Sequence, residues 1–158
     1  MPYLDETQLY DDIDLAKPWD DPVNRVFHDR MPEIFRCPND SYSSSNTAYL
    51  AVVGEETMWN GNRKTCYDDI QDGSANTIAL IESTRYQQNW MNPHDISMSV
   101  VGLDRENSLI PSSNHPGGTL VALVDGSTRF LSTPIDSKTL RALLTINGGE
   151  EVFPDDLY

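Results

Sequence analysis

The sequence predicts an α+β domain in which a small antiparallel sheet is packed by short helices and joined by long irregular loops. Three observations carry this: short apolar runs at 48–53 and 77–82, paired β-like runs flanking Asp125-Gly126, and helix-like apolar stripes near 20–31 and 137–146. The chain's 158 residues suffice for one domain with its own core and not for two comfortable ones. A single unit over 1–158 is expected, with a helical part at 1–36, strands and long loops over 37–118, and a hairpin plus C-terminal helix over 119–158.

Taken in order, Leu4, Leu9, Ile13 and Leu15 mark a short, weakly periodic helix that Pro18 ends. A clearer one follows. Asp20 or Asp21 can cap it, Pro22 suits its first turn, and Val23, Val26, Phe27, Arg30 and Met31 follow the helical spacing until Pro32. These helices are expected to cover one face of the sheet. The polar stretch from Ser41 to Thr47 reads as a loop.

The run AYLAVV, from Ala48 to Val53, and the run TIALIE, from Thr77 to Glu82, have the length and apolar content of buried strands. The residues between them, and those from Ser83 to Pro116, are polar and turn-rich, and long loops are where binding surfaces are carried. TLVALV (Thr119 to Val124) and STRFL (Ser127 to Leu131) flank Asp125-Gly126, a dipeptide that accepts the positive φ angles of a type I′ turn. After Pro134, Asp136 or Ser137 caps a helix whose Leu140, Leu143 and Leu144 share one face, and Asn147-Gly148-Gly149 stops it. The acidic tail FPDDLY has only Phe153 and Leu157 to pack with.

With 25 acidic residues against 11 basic, the formal net charge is -14, which repels phosphate backbones and anionic membranes. Nucleic acid is therefore not an expected partner, and the charge speaks first to solubility, then to attraction of cations or a basic partner. No run approaches the roughly 20 apolar residues needed to cross a bilayer, and MPYLDETQLY lacks the pattern of a signal peptide.

Cys37 and Cys66 are the two cysteines, 29 residues apart with no CxxC and no clustered histidine, which leaves too few sulfur ligands for a four-ligand zinc site. They are either a disulfide or two thiols; closing that loop would stabilise by roughly 3 to 4 kcal/mol on a chain-entropy estimate.

Asp68, Asp69, Asp72, Ser74 and Asn76 form an oxygen-rich cluster of the kind calcium prefers, although the spacing fails the EF-hand pattern. The competing reading makes Asp72-Gly73 a turn leading into the strand. Trp59 and Trp90, with Tyr67 and Tyr86, lie in the polar middle and are candidates for stacking on sugar rings, against the commoner fate of buried packing. Glu82 ends an apolar run, so an inward-pointing Glu82 needs a partner, with Arg129 or Arg141 available. GxSxG, HExxH, Walker A and dinucleotide-binding glycine patterns are all absent, and His28, His94 and His115 are scattered, so no catalytic set or cofactor is assigned.

His115 is followed by nine residues and then Asp125-Gly126, inside SNHPGGTLVALVDGSTRFLSTPIDSKTLRALLTINGGEEV. This segment resembles the prepilin-type processing-associated H-x9-DG domain, found abundantly in planctomycete-like bacteria. The matching motif residues are His115, Gly117, Gly118, Asp125, Gly126, Ser127, Gly148, Gly149 and Glu150. The segments PYLDETQLYDDIDLAKPWDDPVN, FRCPND, TAYLAVVG, DGSANTIALIE and WMNPHD are also similar to that family, in the same order.

The resemblance implies a pilin- or pseudopilin-like head and an extracytoplasmic place, in the periplasm or at the cell surface. It further implies a structural, non-catalytic role in a type IV pilus or type II secretion assembly. Such proteins carry a cleavable leader and an apolar anchor helix through which they meet other pilin-like subunits. Neither is present here, so the expectation is a head domain separated from a longer, membrane-anchored precursor and behaving as a soluble monomer. An oxidising compartment favours a Cys37 to Cys66 disulfide. The alternative implied is a displayed binding module for a glycan, a solute or calcium. His115 and Asp125 would face a common metal or ligand if the preceding loop folds back; otherwise Asp125 serves its turn and His115 bonds backbone in a crossing loop.

Overall fold

Four strands form the main sheet, in the order β1 (Tyr49–Leu50), β3 (Ile78–Glu82), β5 (Gly118–Leu123) and β6 (Thr128–Ser132), all neighbours antiparallel. The computed structural model describes residues 1–40, 45–61, 63–86, 88–101 and 112–150. The expected packing of Phe153 and Leu157 falls outside these residues, as does most of the Ser41 to Thr47 loop. The α+β class read from the sequence is the one observed, with each long strand within a residue of its predicted place.

The run AYLAVV is not one strand. Ala51 N donates to the Asp95 carboxylate at 3.0 Å, and Ala51 O accepts from Ile96 N at 3.1 Å. The chain therefore leaves β3 at Ala51, and β2 (Val52–Val53) pairs in parallel with β4 (Ile96–Ser97) as a separate two-stranded ribbon. The β5–β6 hairpin is in regular register, Thr119 opposite Leu131 and Val121 opposite Arg129. Its turn differs from the expected type I′. Gly126 N donates to Leu123 O at 3.0 Å, and Gly126 has a φ of 85° while Asp125 stays in the ordinary negative region. Positive φ at the final glycine alone belongs to a three-residue loop with a glycine bulge, whereas type I′ needs it at both central residues.

Behind one face of the sheet lies α3 (Ser137–Leu144). The Asp136 carboxylate caps it, accepting from Lys138 N at 2.9 Å and Thr139 N at 3.2 Å. Leu140, Leu143 and Leu144 bury themselves against Ile78, Ile81, Val121, Leu123 and Leu131. Leu50, Val52, Ile96 and Val101 complete this core, so the β2–β4 ribbon closes the same layer. The helix stops at Leu144 because Thr145 turns extended to bridge Thr57, and buried Ile146 follows it.

The N-terminal helices are shorter than their spacing suggests and contribute no side chain to that core. α1 spans Thr7–Asp12 and α2 only Pro22–Arg25, the latter capped by Asp21 as expected. Val23 and Val26 are 53% and 67% exposed, so the predicted stripe faces solvent. What anchors this region is polar. Asn24 is buried, its Nδ2 donating to Asp14 O at 3.0 Å and Pro18 O at 2.9 Å while its Oδ1 accepts from Asp14 N at 3.0 Å. A helix with no apolar surface beneath it does not propagate, since packing supplies most helical stability. Among the described residues no helix is long and apolar enough to cross a membrane.

Candidate functional site

Strand β3 ends in an acidic residue, Glu82, which stands opposite Tyr49 of β1. Glu82 is fully buried there. Its Oε2 accepts from Leu120 N at 3.1 Å and lies 3.4 Å from the Thr119 hydroxyl. Its Oε1 has no hydrogen-bond partner, a costly condition for a buried oxygen. Neither arginine expected beside it is there: Arg129 donates to Ala75 O, and Arg141 to Met98 O and Val101 O.

Two other segments bring their side chains to this carboxyl group. A 3-10 turn over Glu33–Phe35 hands the chain to Cys37, fully buried, and Ala48 N bonds back to Phe35 O at 2.9 Å, tying that segment to β1. On the other side, Ser112 N donates to Glu82 O at 3.4 Å, and Ser113 Oγ accepts from His115 N at 3.0 Å. The loop before β5 is thus pinned next to Glu82 before it reaches His115. The result is a cluster in which Cys37 Sγ lies 3.5 Å and Glu82 Oε1 3.7 Å from His115 Nε2. The three ligand atoms all lie within 4.8 Å of one another. Asn39 Nδ2 sits 2.9 Å from His115 Nδ1, the ring nitrogen other than the one that faces the sulfur and the carboxyl group.

The cluster sets its own electrostatics. Burial first, and then the adjacent Glu82 carboxyl group, pushes the Cys37 thiol up to about 11. Tyr49 is pushed up as well, by burial first and then by Cys37 and Glu82. Cys37 is therefore a neutral thiol at physiological pH, unsuited to act unaided as a nucleophile.

The structure separates the other candidate residues. His115 and Asp125 do not share a site; they lie at opposite ends of β5. The Asp125 carboxylate accepts from Ser127 N at 2.9 Å and Ser127 Oγ at 2.6 Å, which closes its turn. Cys37 and Cys66 are both free thiols, one buried and one exposed, so the expected disulfide is not made. Cys37 faces Glu82 and His115, whereas Cys66 begins a 3-10 turn over Tyr67–Asp69 on the surface.

The proposed calcium ligands are used within the chain. Asp69 accepts from Cys66 N at 2.8 Å, Ser74 Oγ pairs with Tyr67 OH at 2.6 Å, and Asn76 donates to Asp72 O at 3.2 Å. Asp72 accepts from Gly148 N at 2.7 Å and Gly149 N at 2.9 Å, while Asp68 and Glu150 are exposed. Among the described residues, the group of acidic, histidine and cysteine side chains that converges as metal ligands is Cys37, Glu82 and His115, not these. Trp59, 41% exposed, donates to Ala79 O at 2.6 Å, whereas Trp90 donates to His28 O at 3.0 Å and stacks on Phe35. Each indole is tied to a different element.

Of the site, the sequence reading found His115 and the need of Glu82 for a partner, and missed Cys37 and Asn39 as members. The signal available was FRCPND, a cysteine and an asparagine two apart, which says nothing of what they would meet. No protein-family model, curated protein or solved structure matches the chain.

Proposed function

We propose that this chain is the head of a non-catalytic, extracytoplasmic pilin- or pseudopilin-like subunit of a surface filament or secretion-type assembly. The observation that carries the reading is how the H-x9-DG residues are spent. His115 packs inward onto Cys37 and Glu82, Gly117 O accepts from Thr133 N, and Gly118 lets β5 approach Phe130 and Leu131 of β6 more closely than any side chain would permit. Asp125, Gly126 and Ser127 make the turn, and Gly148 and Gly149 are clasped by Asp72. These positions are spent on building the head, which supports a structural role for the motif.

A subunit of an assembly also needs surface for its neighbours. The N-terminal region offers it in Leu15, Val23, Val26 and Ile34, each more than half exposed. The alternative, a displayed binding module for a glycan, a solute or calcium, would be favoured by Trp59 and Trp90 sharing a groove; their indoles are anchored separately, to Ala79 O and to His28 O.

The test is immunogold electron microscopy of the source cells with an antibody to this domain. Gold along thin surface filaments is the expected result. Gold scattered over the envelope without filaments would replace the filament subunit with a displayed module, and cytoplasmic gold would overturn the reading.

A further inference from the structure

We propose that Cys37, Glu82 and His115 bind one divalent transition-metal cation of the zinc type, which staples the N-terminal segment and the loop before β5 to the sheet. The inference does not depend on the filament reading. A thiolate, an imidazole and a carboxylate together are a donor set for zinc and its neighbours, and not for calcium, which takes oxygen alone.

The geometry fits the size of such an ion. Tetrahedral coordination with ordinary zinc bond lengths separates sulfur from nitrogen by about 3.5 Å and nitrogen from oxygen by about 3.3 Å. The corresponding distances here are 3.5 Å and 3.7 Å, and the sulfur and the carboxylate lie within 4.8 Å of each other, so His115 already stands at coordination distance from both. Glu82 supplies the independent observation. It is completely buried, yet Oε1, the oxygen turned toward the cluster, has no hydrogen-bond partner. A cation held by Oε1 gives that oxygen the partner it lacks.

Asn39 completes the arrangement. When Nε2 binds metal the imidazole proton moves to Nδ1, and rotation of the Asn39 amide turns its oxygen onto that N–H from the place where Nδ2 now sits at 2.9 Å. Binding displaces the Cys37 thiol proton to solvent. His115 keeps 19% of its side chain exposed, and three protein ligands would leave a fourth position for water. Cys37 and His115 are 78 positions apart, so the ion joins segments that are distant in sequence.

The experiment is titration of the chelator-treated full chain with cobalt(II) chloride and then zinc chloride, followed by absorption and by urea unfolding. One equivalent of cobalt is expected to bind with a thiolate-to-cobalt charge-transfer absorption, zinc to displace it, and either ion to raise the urea midpoint. Cys66→Ser should keep the whole response, and since Cys37 is then the sole thiol, the absorption would identify it. Asn39→Ala should weaken binding by about 10- to 100-fold. Absence of one-equivalent binding, or loss of the absorption in Cys66→Ser, overturns the proposal even if Cys37→Ser fails to fold.

Discussion

Asp72 holds Gly148 and Gly149 in place, its two carboxylate oxygens accepting the backbone N–H groups at 2.7 Å and 2.9 Å across more than seventy residues of chain. The same loop also takes Gln71 N and Asp72 N onto Ile146 O at 2.7 Å and 3.1 Å. The end of α3 and the entry to β3 are thereby fastened to each other, with an acid used as a clasp and not as a calcium ligand.

Asp72→Ala removes the acceptor for two backbone donors and is expected to lower stability by about 1 to 2 kcal/mol, read from the urea midpoint. Calcium added to the parent protein should leave that midpoint where it was. A calcium-dependent rise that disappears in Asp72→Ala would show the clasp to be a cation site.

The two glycines of the hairpin are needed for different reasons. A Cβ on Gly118 would collide with Leu131 O and the Phe130 ring, whereas a Cβ on Gly126 meets nothing and suffers only from its φ of 85°. Gly118→Ala is expected to cost at least about 3 kcal/mol, and Gly126→Ala about 1 to 2 kcal/mol. Equal losses in thermal or urea unfolding would contradict this ordering.

The cysteines should differ in reactivity. In metal-free native protein at about pH 8, iodoacetamide is expected to modify one thiol, the exposed Cys66, and to reach buried Cys37 only on unfolding. Modification of both at equal rates would mean that Cys37 is not held as described.

Alkaline pH tests the same environment. The Cys37 thiol is raised from an ordinary 9.0 to about 11, so the folded state holds a proton that the unfolded state has released. That contribution is fully present below about pH 9 and is lost as pH climbs toward about 11, with Tyr49 adding in the same direction. Stability measured in urea should fall over this window, and less steeply in Cys37→Ser. Equal slopes in parent and variant would refute the assignment.

Acid reports on the turn. Ser127 hydrogen bonds hold the Asp125 carboxyl below its usual range, so its contribution is present above about pH 4 and is lost as pH falls through the lowered value. The difference in urea midpoint between parent and Asp125→Ala should therefore shrink below about pH 4. A difference that stays constant across that range would assign the effect to something other than the ionised carboxylate.

What the sequence determined by itself was whatever short-range chemistry controls. The apolar runs at 77–82 and 119–124 became β3 and β5 because a short apolar run bounded by turn residues suffices to mark a buried strand, and Asp136 with Leu140, Leu143 and Leu144 marked α3 through one cap and one face. Glycine at 126 announced a turn, though not its type, because one extra residue in the loop changes which positions need positive φ.

Only the tertiary structure decided the rest. Val23 and Val26 have helical spacing, but both are exposed and α2 ends at Arg25. Ala51 breaks a continuous apolar run because Asp95 and Ile96, distant in sequence, bind its backbone. Cys37, Glu82 and His115 carry no mutual spacing signal. They meet because a 3-10 turn, a strand end and a pinned loop deliver them to one point, and the energy of that meeting depends on burial, which is a property of the packed molecule and not of any segment.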